Sequence, residues 1–90
     1  MSSVVARGRV TSPKPVEEPQ DERFLRQLGE HVRSARARRS MTRKDLALQS
    51  AVSERYLAQL EAGHGNISVL LLRQIAAALG LTLADLLRED

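Results

Sequence analysis

The stretch Met41-Thr-Arg-Lys-Asp-Leu-Ala-Leu-Gln-Ser-Ala-Val-Ser-Glu-Arg-Tyr-Leu-Ala-Gln-Leu-Glu-Ala-Gly63 reads as two short helices joined by a tight turn. Thr42 can cap a helix with its side-chain oxygen, and Asp45, three residues on, can reach back to the cap as a short capping box. A helix over 43–50 follows, with Leu46 and Ala47 inward and Ala47 small enough to let another helix cross closely. Ala51-Val52 is the turn. Ser53 caps again, Glu54 suits the positive end of the helix dipole, and a second helix runs over 54–62 until Gly63 supplies a left-handed stop. Leu57 and Leu60 form its inward face, which leaves Glu54, Arg55, Tyr56, Ala58 and Gln59 facing out.

Upstream, Phe24, Leu25, Leu28, Val32 and Ala35 recur at three- and four-residue steps, which predicts a helix over 22–38. Gly29 sits inside that pattern at a cost of about 1 kcal/mol against alanine, so a neighbour is expected to approach closely there. Arg36, Arg38 and Arg39 crowd its last turn, where the negative end of the dipole favours cations. Downstream, after the loop His64-Gly65-Asn66-Ile67, Ser68 caps a helix over 69–79 carrying Leu71, Leu72, Ile75, Ala76 and Leu79. Gly80 ends it, and Thr82 caps a short last helix with Leu83, Leu86 and Leu87. No segment alternates with the period of two that marks a strand, so the class is all-α with five helices.

Residues 1–21 hold all three prolines and no apolar period, and they read as a disordered tail ahead of a single domain over 22–90. A chain of 90 residues without cysteine must hold itself together by helix packing or by a partner subunit. Thiolate metal sites and nucleophilic thiols are excluded, and His31 and His64 are too few for a metal cluster. No carboxylate pair, Ser-His-acid set or Gly-rich phosphate loop has usable spacing, so the chain does not read as an enzyme and no cofactor is expected. No apolar run approaches the roughly 18 residues that span a bilayer, and the expectation is a cytoplasmic protein.

The net charge of +3 is modest, but its distribution is uneven. Residues 22–55 carry nine basic groups against four acidic, whereas residues 56–90 carry two against four. Such asymmetry suits a module that turns one face to a polyanion and another to protein or solvent. Two short helices separated by three residues match the supersecondary unit whose second helix enters the major groove of DNA. The motif spans 42–61. In the tail, Arg7-Gly8-Arg9 has two readings, solvated disorder or a basic arm along a groove.

Taken whole, Met41 to Gly63 resembles the Cro/CI-type helix-turn-helix family, also called the XRE family. The resemblance runs from about Leu28 to Leu87 and rests on the Arg-rich first helix, Leu46-Ala47, Val52-Ser53, Leu60-Glu61-Ala62-Gly63 and Leu79-Gly80-Leu81-Thr82. It implies a compact five-helix lambda-repressor-like domain. Within the family, Ser53 to Glu61 together with Gly65-Asn66-Ile67-Ser68 looks like the N-terminal domain of benzoyl-CoA-responsive repressors of benzoate catabolism. Those proteins join this domain to a shikimate-kinase-like effector domain, so an effector such as benzoyl-CoA would act through a domain absent from this chain.

Matched position by position, the resemblance implies base contacts from Glu54, Arg55, Tyr56 and Gln59. Their chemistry fits: Arg pairs bidentately with guanine, Gln with adenine, and Glu accepts from cytosine N4. Glu54 has a second reading as a dipole cap, and Tyr56 as an edge of the core. Phosphate contacts fall to Thr42, Arg43, Lys44, Ser53 and Asn66, helped by the free amides of the helix N-termini. The family usually has Gln where Arg43 stands and Gly where Ala51 stands. Arg36 and Glu61 occupy positions that form a buried ion pair in many members. The partner implied is double-stranded operator DNA bound by a homodimer, with repression as the outcome. The competing class is an antitoxin-like or protein-interaction module, suggested by the acidic C-terminal third and by leucines that helix 5 could expose.

Overall fold

A computed structural model describes residues 19–89. The tail expected over 1–21, with its Arg7-Gly8-Arg9 segment, lies outside the described residues up to position 18. Five helices follow in order: α1 (Gln20–Arg38), α2 (Arg43–Ser50), α3 (Glu54–Glu61), α4 (Val69–Ala78) and α5 (Leu83–Leu87). No strand occurs among the described residues, so the chain is all-α.

Capping explains the starts of four of these helices. Thr42 Oγ1 accepts from Asp45 N at 3.0 Å while Thr42 N donates to Asp45 Oδ2 at 2.9 Å, and Thr82 and Asp85 repeat the exchange at 3.1 and 2.9 Å. Ser53 Oγ accepts from Tyr56 N, and Ser68 Oγ from Leu71 N. Each cap satisfies an amide that the helix itself leaves unpaired. Helix α1 differs from expectation, since it begins two residues earlier than 22, directly after Pro19 and with no side-chain cap. The apolar period marks where a helix first meets the core, which is Phe24; the exposed acidic turn at Asp21 and Glu22 is helical before that. Helices α3 and α4 each end one residue before the expected limit, their last turns closing through Gly63 (φ 79°) and Gly80 (φ 71°).

Hydrogen bonds donated by the cap amides of Thr42 and Thr82 to the carboxylates hold Asp45 and Asp85 below the ordinary carboxyl value of 3.8. A lowered folded-state pKa contributes stability that is present above about pH 4 and is lost as pH falls through the folded value. Acid titration of Asp45→Asn and Asp85→Asn variants is therefore expected to show lower stability at pH 7 and a flatter profile between about pH 5 and pH 2. A wild-type slope in either variant would contradict the capping account.

The core is built from Leu28, Val32 and Ala35 of α1, Leu46, Val52, Leu57, Leu60, then Leu72, Ile75, Ala76, Leu79 and Leu86. Helix α1 packs on α3 and α5, α2 on α3 and α4, and α4 on α5. Ser50 is buried at the end of α2, and its hydroxyl donates to Leu46 O at 2.7 Å, so the site carries no unpaired polar group. The leucines of α5 are not exposed as the protein-module reading supposed. Positions 83, 86 and 87 share one helical face, which turns Leu86 fully inward and half-buries the other two. Among the described residues, the exposed large apolar side chains are instead Leu48 on α2 and Val69 and Leu70 on α4.

Candidate nucleic-acid interface

The turn between α2 and α3 is set by Ala51, whose backbone is left-handed at φ 59°, ψ 31°. An L residue there costs roughly 1–2 kcal/mol, strain that glycine would not carry. Val52, next in the chain, is buried and anchors the turn to the core. From Ser53 the chain enters α3 with Leu57 and Leu60 inward, so Glu54, Arg55 and Gln59 are exposed on the opposite side.

Tyr56 stands apart from these three. It is half-buried against the core, and its hydroxyl oxygen accepts from Ser68 N at 3.1 Å, tying α3 to the start of α4. The hydroxyl hydrogen remains to donate outward. Gln59 lies beside the loop glycine Gly65, with Gln59 Oε1 3.5 Å from where a Cβ at 65 would stand. Thr42, Arg43, Lys44, Ser53 and Asn66 are all exposed. The oxygens of Thr42 and Ser53 serve as cap acceptors, which leaves both hydroxyl hydrogens available to an anion.

Helix α3 is seated on α1 through its last residue. Glu61 is buried, its side chain only 2% exposed, and its carboxylate takes a bidentate pair from Arg36, Nε to Oε2 and Nη2 to Oε1, both at 2.8 Å. Arg36 Nη1 also donates to Met41 O at 2.9 Å. The hydrogen-bonded carboxylate holds the Arg36 guanidinium above its ordinary value, with burial pulling the other way. Arg43, the first residue of α2, meets the same carboxylate with Nη2 at 3.4 Å from Oε1. The structure thus joins Arg36, Glu61 and Arg43 in one cluster. Glu54, Arg55, Lys44, Ser53 and Asn66 stand exposed around the motif.

Sequence reasoning missed the Arg33 contact in this seat and, at Gly29, foresaw a close approach but not its partner. Arg33 Nη1 donates to Glu61 O at 3.3 Å, and a Cβ at Gly29 would lie 2.5 Å from Leu60 O and 2.7 Å from Glu61 O. Gly29, Arg33 and Arg36 fall at four- and three-residue steps, so their shared face was readable. Gly29 within an apolar period signals the close approach, but its partner on α3 lies about 31 residues away and follows from no local spacing. No group of three or more His, Asp or Glu among the described residues could hold a metal ion, and no helix among them is long and apolar enough to cross a membrane.

Five helices with this two-helix unit seated at their centre define a helix-turn-helix domain. The helix-turn-helix family model HTH_3 matches residues 32–86, and the chain belongs to that family, a class of DNA-binding transcriptional regulators. Among solved structures, the chain is 39% identical to the clp gene regulator ClgR from Corynebacterium glutamicum, covering 80% of this chain and 88% of that one with a TM-score of 0.69. It is 26% identical to the hypothetical transcription factor NHTF from Neisseria, over 84% and 87% of the two chains at a TM-score of 0.72. It is also 26% identical to the restriction-modification controller protein C.AhdI from Aeromonas hydrophila, over 69% and 94% at 0.67. Among curated proteins no relative matches.

Proposed function

We propose that this chain is a transcriptional repressor that binds a two-fold operator as a homodimer, with α3 in the major groove. The observation that carries the reading is the exposure of Glu54, Arg55 and Gln59 on one side of a helix whose other side is locked to the core and whose end is pinned by Glu61. A rigidly seated helix has no backbone freedom left to lose on binding, so the entropy cost falls on the exposed side chains alone. Arg55 and Gln59 have the forked geometries that match guanine and adenine, and Glu54 accepts from cytosine or caps the dipole. Tyr56, held at the core edge, donates its hydroxyl hydrogen to a phosphate. Thr42, Arg43, Lys44, Ser53 and Asn66 surround the reading helix as phosphate donors, with the unpaired amides of α2 and α3 beside them.

One helix reads only a few base pairs, so paired half-sites about 10 bp apart supply both affinity and discrimination. The residues Ser53 to Glu61 and Gly65 to Ser68 support the finer reading of a benzoate-catabolism repressor, in which an effector such as benzoyl-CoA acts through a domain these residues do not include. Selection from random duplexes is expected to enrich a palindrome, with log K falling by about 0.9 per log salt for each phosphate contacted. An unenriched pool, or affinity insensitive to salt, would overturn the proposal.

The exposure of Val69 (57%) and Leu70 (66%) favours one second reading, a protein-interaction module that grips a partner through the start of α4. Capture of one specific partner in the absence of operator, lost with Leu70→Ser, together with failure to enrich any duplex, would favour it.

A further inference from the structure

The Glu61 carboxylate has one more arginine than it needs. Its charge is balanced by the bidentate pair with Arg36, at 2.8 Å on both oxygens, yet Arg43 also approaches Oε1 at 3.4 Å. The two contacts differ in kind. Arg36 is enclosed, with 16% of its side chain exposed, and is committed further to Met41 O. Arg43 is 44% exposed and reaches Glu61 with a single nitrogen, while a guanidinium carries five N–H donors in a planar fork. The cluster of one carboxylate and two guanidiniums keeps a net positive charge, and that charge resides on the exposed member at the start of α2. There the unpaired amides of the helix already favour an anion.

Building on the functional reading above, we propose that Glu61 is a positioning residue for DNA binding, holding Arg43 so that its guanidinium bridges the buried carboxylate and a backbone phosphate. The long Glu61 contact restrains the side chain before DNA arrives. The remaining donors of the fork are directed to the phosphate. Because Glu61 is also the last residue of α3, the same bridge links the position of that phosphate to the position of the reading helix. Lysine could supply the charge but, with one ammonium on a flexible stem, could not serve both anions in a fixed fork.

The test compares the full chain with its Arg43→Gln and Arg43→Lys variants on a selected duplex across a salt series. All three are expected to keep the same Tm within about 2 °C, since the buried Glu61 carboxylate keeps its bidentate pair with Arg36 and loses only a single 3.4 Å contact from a partly exposed side chain. Arg43→Gln should flatten the slope of log K against log salt by about 0.9 for each Arg43–phosphate contact. Arg43→Lys should keep the slope yet bind about 2- to 10-fold more weakly per subunit, the factor for immobilising one long side chain. In the DNA-free protein, ¹⁵N relaxation should show the Arg43 Nε–H more ordered than that of exposed Arg55. Wild-type affinity in Arg43→Lys, an unchanged slope in Arg43→Gln, or equal mobility of the two arginines would overturn the bridge and leave the functional reading standing. Absence of wild-type binding to any duplex would overturn both.

Discussion

Glu61→Ala is expected to lower the free energy of unfolding by about 3–5 kcal/mol, the scale for removing one partner of a buried pair. Domains of this kind have only about 5–15 kcal/mol in total, so the variant should be partly unfolded at 37 °C. The loss does not measure what the pair contributes, because two desolvated charges nearly offset their own attraction. It measures the Arg36 guanidinium left enclosed without a counter-charge, with Met41 O as its remaining acceptor among those seen in the structure. The double variant Arg36→Met, Glu61→Leu, which removes both charges and keeps apolar volume, is expected to recover most of the loss. Urea unfolding reads both. A loss below about 1 kcal/mol for Glu61→Ala would mean that α3 is not seated through this residue. Gly29→Ala attacks the same seat from α1. The new methyl would meet backbone oxygens that cannot swing away, so overpacking of about 1–3 kcal/mol outweighs the roughly 1 kcal/mol gained in helix propensity.

The second large effect is on recognition. An Arg55→Ala, Gln59→Ala double variant is expected to fold normally, since both side chains are exposed, and to lose about 2–6 kcal/mol of discrimination per half-site. That corresponds to a fall of about 30-fold or more per half-site in the ratio of operator to scrambled-duplex affinity. Binding to scrambled DNA should weaken much less, because phosphate contacts carry that term and only one cation per subunit is lost. Competition titrations at fixed salt measure the ratio. A wild-type ratio in the double variant would remove α3 from base reading.

The fold was largely legible because its punctuation is local chemistry. Thr42, Ser53, Ser68 and Thr82 each stand one residue before a helix, and a hydroxyl at that place competes for backbone amides in a way no other position rewards. The start of α1 was misread because an exposed first turn leaves no apolar period to detect. The supposed exposure of the α5 leucines failed for a different reason: burial depends on which helices flank a face, and α1 and α4 both close on α5. The exposed side chains of the candidate interface could be named from sequence, but their constraints could not. Tyr56 meeting Ser68 N and Arg43 meeting Glu61 join residues 12 and 18 positions apart, and neither contact follows from any helical period.

The most direct measurement is a titration of ¹⁵N-labelled protein with a selected duplex, followed amide by amide. The largest shifts are expected at residues 42–45, 53–59 and 64–68, where helix starts, outward α3 side chains and the following loop would meet the two grooves and their phosphates. Shifts confined to 69–77 and 83–88, with 53–59 unmoved, would contradict the assignment of α3 as the DNA-reading element.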